Sequence, residues 1–214
     1  MLRRVDPEIL DELPSDDPEA IRSRRDLRLI NAIMGNHRWL ARRIGIGFQT
    51  GWRVLELGAG DGELGQRLVQ RNHVAANQIV GIDRAPRPLA WPAEARWLQG
   101  DVFAEALPPA EIITANLFLH HFQADTLAEL GRRLPSTCRL LVCNEPARRG
   151  LHVWQGNLLA IVAGLNRVTR HDMRVSIRAG FLRRELPEWL GISDWKVFVS
   201  TTFFGAYRLE AHRP

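Results

Sequence analysis

Lysine is almost absent from this chain. Of its 29 basic residues one, Lys196, is lysine, and the other 28 are arginine. That bias reads as a coding habit rather than a binding surface. The arginines fall in scattered pairs (3/4, 24/25, 42/43, 132/133, 148/149, 183/184) rather than one stripe. The net charge of +5 therefore does not point to a nucleic acid partner. Cysteine is scarce too. Cys138 and Cys143 lie five apart and read as members of one strand with opposed side chains, which argues against a disulfide between them. No apolar run approaches the ~20 residues of a membrane span. The N-terminus turns acidic at once, at Asp6, and does not read as a secretory signal. Repeats and low-complexity segments are missing, and no His, Cys and carboxylate spacing fits a metal site, so no metal is expected. These absences point to the reducing cytoplasm; a monomer or homodimer is expected. Its 214 residues, 45% hydrophobic and 25% charged, suffice for a domain with a full core.

The most informative stretch is Val54-Leu55-Glu56-Leu57-Gly58-Ala59-Gly60-Asp61-Gly62-Glu63-Leu64-Gly65. It reads as a short apolar strand with an acid near its end, a loop with glycine at alternate positions, and a helix start. Glycine lets a backbone come close to a ligand because no side chain holds it off. A dinucleotide fingerprint would need glycine at 63, where Glu63 stands. What is present is acid-x-Gly-x-Gly-x-Gly: Glu56, Gly58, Gly60 and Gly62.

The remaining chain alternates strands and helices. Residues 1–16 form an acidic arm or a short capping helix. Asp16 or Asp17 before Pro18-Glu19 opens a helix, which Gly35-Asn36 interrupts before His37 to Ile44. Strands are expected at 53–57, 78–82, 95–98, 111–116 and 139–143, and a closing antiparallel pair at 196–200 and 203–211. Helices are expected at 63–71, 123–133, after 150, over 173–179 and at 185–190. Pro86, Pro88 and Pro92 make the second crossover short or irregular.

The acid-glycine stretch resembles motif I of the class I S-adenosylmethionine-dependent methyltransferases, and later segments extend the likeness over residues 50–212. The resemblance implies a Rossmann-like three-layer α/β sandwich. Its seven-stranded sheet would be mostly parallel with an antiparallel last strand. Residues 1–49 would be an arm and helical cap, which either roofs the substrate site or plugs a core edge. Residues 50–214 would be the catalytic domain, with a lid insertion at about 147–178. By the same resemblance Glu56, Gly58, Gly60, Gly62 and Asn116 contribute to holding the cofactor. Asp83, ending the second strand, would accept from the ribose hydroxyls, and Asp101 from the adenine amino group. The cofactor would be S-adenosyl-L-methionine, leaving as S-adenosyl-L-homocysteine. After Asn116 the chain runs Leu117-Phe118-Leu119-His120-His121-Phe122, without the two prolines of enzymes that methylate exocyclic amino groups of nucleic acids or protein glutamine amides. It resembles instead small-molecule enzymes related to quinone biosynthesis.

Methylation of a phenol or an enolisable carbon requires a proton to leave, and histidine suits that task. His120 and His121 follow the fourth strand at the carboxyl edge, where open α/β sheets bind ligands. Neighbours in sequence are expected to point apart, and His121, flanked by Phe118 and Phe122, is the better placed. His171 beside Asp172 is a further candidate, with Asp172 alternatively capping the Met173 helix, and His152 is another. Trp39, Phe118, Phe122 and Trp154 would line the pocket or belong to the core. The expected function is methylation of a small, largely apolar aromatic or polyketide-like metabolite, oxygen favoured and carbon next. The alternatives are an RNA or protein methyltransferase and a non-catalytic cofactor-binding protein.

Overall fold

The structure is a computed structural model that describes residues 1–14, 16–104 and 106–214. Seven strands form one sheet: β1 Val54–Leu57, β2 Ile79–Asp83, β3 Arg96–Gln99, β4 Ile112–Asn116, β5 Leu140–Pro146, β6 Lys196–Thr201 and β7 Ala206–His212. Their order is β3-β2-β1-β4-β5-β7-β6. β1 to β5 pair in parallel, and β7 runs antiparallel to both β5 and β6. The order reverses between β1 and β4, and an open sheet gathers ligands at the carboxyl ends of such a switch point.

Parallel strands covered on both faces read as continuous apolar runs, and β1 and β5 are buried at every position. Alternate residues go to opposite faces. Val54, Ile112, Leu140 and Val142 pack against Leu40, Ala41 and Ile44 of α3 (Asn36–Gly47) and Leu64 and Leu68 of α4 (Glu63–Gln70). Leu55, Ile113, Leu141 and Cys143 share the other core with Leu127 and Leu130 of α5 (Ala124–Arg133) and Leu186 of α8 (Glu185–Trp189). No helix joins β2 to β3 among the described residues. Trp91 fills that space instead, edge-on to Trp97 with ring centroids 5.0 Å apart. A Cβ at Gly62, Gly65 or Gly81 would come within 2.6, 2.4 and 2.9 Å of its ring.

A roof lies over the carboxyl edge. It is built from α1 (Ile9–Glu12), α2 (Pro18–Met34), α6 (Gly150–Val162) and α7 (Arg167–Ala179). Ile30, Ala160 and Leu165 form its buried centre. Asp17 caps α2 by accepting from the amides of Glu19 and Ala20, and Gly35, at φ +66°, ends it. The N-terminal helices thus divide: α3 belongs to the main core, whereas α1 and α2 belong to the roof.

Three sequence expectations need correction. Cys138 precedes β5, and both thiols are free and lie in the same core cluster, because the turn before the strand breaks the strict alternation on which opposed faces depended. β7 starts at Ala206, leaving Phe203 and Phe204 at the hairpin tip. α7 starts at Arg167, capped by Asn166, so His171 and Asp172 lie within it. Asp172 does not cap its own helix. It accepts from the amides of Ile9 and Leu10 at 2.9 and 3.0 Å, across the roof at the start of α1.

Close packing of α5 on α8 gives a test of this arrangement. A Cβ at Gly131 would lie 1.9 Å from the Leu190 carbonyl oxygen. Gly131→Ala is therefore expected to lose roughly 1–3 kcal/mol of stability in urea unfolding, despite alanine's better helix propensity. Gly100→Ala, with no described atom within 4 Å of its Cβ, should be near neutral.

Candidate active site

One cavity of about 1030 Å³ runs from the β1 loop to the roof. At the loop end Gly58 and Gly60 have φ of +64° and +51°. A Cβ on Gly58 would strike the Phe118 ring at 2.2 Å, whereas one on Gly60 would meet no described atom within 4 Å. Gly60 thus presents bare backbone to open space. Its amide donates to Asp83 Oδ2 at 2.8 Å, and Asp83 Oδ1 accepts from Ala85 at 2.8 Å. A carboxylate has about four lone-pair sites, so Asp83 retains capacity towards the cavity. Asp101 accepts from the Phe103 amide at 2.9 Å and pairs with Arg84, which holds its carboxyl below the usual range.

Glu56 lies beneath this loop. It is 4% exposed, and its Oε2 has no hydrogen-bond partner among the described residues. Burial, reinforced by nearby Asp83, outweighs a bond from the Gly65 amide and pushes its carboxyl up to about 8.

The far end is organised by Glu145, at the end of β5 and fully buried. Its Oε1 accepts from the amides of Phe118 and Leu119 at 3.1 and 2.9 Å. Its Oε2 accepts from the His120 amide at 3.3 Å and from His120 Nδ1 at 2.7 Å. His120 Nε2 reaches Glu8 Oε1 at 3.3 Å. Burial alone would lower the pKa of this imidazole, but Glu145 and Glu8 outweigh it and push it up to about 9. Glu8 is buried as well, and both histidines hold its carboxyl well below the ordinary range. His121 Nδ1 lies 2.8 Å from the Phe118 carbonyl, which can only accept, so this nitrogen carries the proton. In the neutral ring the lone pair is then on Nε2. That atom is 3.5 Å from Glu8 Oε1 and 3.8 Å from Asp11 Oδ2, and it makes no aligned hydrogen bond among the described residues.

No family model matches the sequence, and no curated protein matches it. Solved structures do match in shape. The plantazolicin methyltransferase BamL, in complex with a triazolic desmethylPZN analog and SAH, superposes with a TM-score of 0.68 at 12% identity, covering 95% of this chain and 92% of its own. The methyltransferase domain of bacterial CtHen1-C gives 0.59 at 14%, covering 83% and 98%. Magnesium protoporphyrin IX methyltransferase from Synechocystis, with bound SAM, gives 0.54 at 14%, covering 94% and 88%. The fold is that of the class I methyltransferases.

Most of the residues expected at a methyltransferase site line this cavity: Glu56, Gly58, Gly60, Asp83, Asp101 and Asn116 at one end, His120 and His121 at the other, with Phe118, Phe122 and Trp154 along its walls. Asn116 also ties the roof to the sheet, its Nδ2 donating to Asn31 Oδ1 at 3.1 Å while its Oδ1 accepts from Asn144 at 3.3 Å. Gly62 does not reach the cavity, since it makes room for Trp91. Trp39 does not either, and it stacks against Arg208, 5.2 Å from ring to guanidinium. His171 points outside, half exposed, 3.0 Å from Asp172. His120 and His121 do not diverge as neighbours were expected to. They sit in one 3₁₀ turn with ring centroids 4.2 Å apart and planes inclined by only 32°.

Glu8, Glu145, Phe203 and Phe204 were not foreseen. An acid at the end of β5 is the same signal that marks Asp83 at the end of β2, so Glu145 was open to inference. Glu8 lies 112 residues before His120, and nothing local marks it.

Glu56 makes a pH-dependent prediction. Its folded value, about 8, lies above its ordinary 4.5, so the protonated form suits the fold. The contribution of Glu56 to stability is then full below about 4.5 and is lost as pH rises through about 8, by on the order of 2–5 kcal/mol, whereas Glu8 and Asp101, with lowered values, act in the opposite direction in acid. In urea unfolding of the ligand-free protein, the stability of the parent relative to Glu56→Gln should show this decline between about pH 4.5 and 8.

Proposed function

We propose that the protein transfers a methyl group from S-adenosylmethionine to a small, largely apolar aromatic or polyketide-like acceptor, with oxygen favoured as the site and carbon next. The single observation that carries this reading is the continuity of one cavity from the Gly60–Asp83 loop to His121. Its size is at the upper end of the usual range for ligand pockets, which suits a nucleoside-sized donor and an acceptor together. The methyltransferase neighbours crystallised with SAM or SAH support the same reading.

The chain offers groups suited to each part of the donor. Glu56, an orphaned acid in a buried site, would gain a partner from a cationic amino group. The spare lone pairs of Asp83 suit ribose hydroxyls, and Gly60 admits the backbone contact. When bound, S-adenosylmethionine supplies a sulfonium methyl group open to in-line displacement. The protein's part is to align the acceptor, and such alignment can supply up to ~7–11 kcal/mol. Phe118, Phe122, Trp154, Leu158, Phe203 and Phe204 present an apolar wall for that purpose.

The acceptor's proton leaves at the histidine pair. His120 is held as an imidazolium between Glu8 and Glu145 and has no lone pair to offer at neutral pH. His121 Nδ1 is committed to the Phe118 carbonyl, which leaves its Nε2 as the atom of the pair to take the proton. His120 and Glu145 fix the turn from which His121 projects.

Asp83→Ala should weaken S-adenosylmethionine binding at least tenfold by calorimetry; unchanged affinity would refute its role. His121→Ala should lower turnover by roughly 10²-fold or more with donor affinity unchanged, and His171→Ala should alter neither. The reaction itself is tested by incubating the protein with methyl-labelled donor and a metabolite extract of its source. A small apolar product heavier by one methyl group is expected. Labelling of bulk RNA or protein instead would overturn the proposal.

A further inference from the structure

We propose that Glu8, His120 and His121 form a site for a divalent transition-metal ion of the zinc class, facing the acceptor end of the cavity. Glu8 Oε1 lies 3.3 Å from His120 Nε2 and 3.5 Å from His121 Nε2, and the three ligand atoms all fall within 4.8 Å of one another. A tetrahedral ion with arms of ~2.0–2.1 Å places its ligand atoms about 3.3–3.4 Å apart. The two measured edges are thus those of a site that needs little adjustment to close on an ion.

The supporting shell points the same way. A histidine that binds a metal ordinarily gives its other ring nitrogen to a carboxylate or a backbone carbonyl, which fixes ring and tautomer. Both patterns are here. His120 Nδ1 meets Glu145 at 2.7 Å, and His121 Nδ1 meets the Phe118 carbonyl at 2.8 Å. The Nε2 atoms are left directed at Glu8, and that of His121 is buried with no hydrogen bond among the described residues. Once the ion displaces the Nε2 proton that His120 carries in the ion-free protein, two imidazoles and one carboxylate form a nitrogen-rich set that suits zinc or ferrous iron, whereas magnesium and calcium prefer oxygen. Asp11 Oδ2, 3.8 Å from His121 Nε2, adds negative charge at the rim. Sequence spacing could not reveal the set, because the third ligand is 112 residues distant from the histidines.

Three protein ligands leave a tetrahedral ion one position open towards the cavity. A hydroxyl bound there would shed its proton far more readily than in water, with the Asp11 carboxylate at hand to take it. The His121 lone pair would then assist ionisation through the ion rather than directly. This consequence rests on the methyl-transfer reading, but ion binding itself does not.

The full chain, stripped by chelator, should be titrated with Zn²⁺ by calorimetry and with Co²⁺ by visible absorption. A single equivalent and the intense visible bands of four-coordinate cobalt are expected. Glu8→Gln and His121→Ala should each abolish them, and Glu145→Gln should weaken affinity by roughly 10–100-fold. His171→Ala, outside the cluster, should bind like the parent. Circular dichroism of each variant separates lost ligands from lost fold, and if Glu8→Gln is unfolded, His121→Ala alone carries the test. No binding at a single equivalent, or binding unchanged in a folded His121→Ala, would overturn the site. S-adenosylmethionine affinity measured on the stripped protein keeps the two proposals separate. Ion binding without methyl transfer to any extract component would leave the site standing and remove the function. Full turnover in excess chelator would remove the ion's part in catalysis.

Discussion

A carboxylate with no access to water must collect hydrogen bonds or be neutralised. Glu145 collects three backbone amides and one imidazole from the single turn that follows β4. Those amides have no other ladder to join, because the chain leaves the sheet at Asn116. Leu117, at φ +52°, takes a backbone conformation that costs a bulky residue of order 1–3 kcal/mol. Its amide donates to the Asn144 carbonyl, so β5 holds the turn at two consecutive residues. The strained entry, the paired imidazoles and the contact with Glu8 all follow from where that carboxylate sits.

The same turn reaches the glycine-loop end of the cavity. Phe118, whose amide Glu145 binds, lays its ring over Gly58, which has no side chain to block it. Trp91 does the corresponding work on the far side of the loop, where Gly62 and Gly65 admit it. Two aromatic side chains thus clamp the loop and leave Gly60 as its one open glycine. The N-terminal arm completes the other end, with Asp172 holding the start of α1 and Glu8 meeting both histidines.

Periodic features were legible in the sequence because they are local. Strand starts and ends came within a few residues for β1 to β6, since apolar runs bounded by Gly, Pro and acids leave little choice. The acid-glycine loop, Asp83 and Asp101 were legible for the same reason: each stands at a strand end, and a strand end has a known place on the sheet. The misplaced residues depend on contacts far along the chain. Trp39 and Trp154 look alike as aromatic helix residues, and only packing puts one against Arg208 and the other at the cavity. His171-Asp172 reads as a dyad, yet the carboxylate turns to α1 and the imidazole to solvent.

The residue order alone thus determined the strands and the glycine loop after β1, because hydrophobic period and glycine placement act over a few residues. Tertiary structure alone decided that Gly60 is the open glycine, that adjacent histidines face one way and that Glu8 joins them. Those outcomes rest on packing and charge pairing between segments separated in the chain, by as much as 112 residues for Glu8 and His120, and no local pattern encodes them.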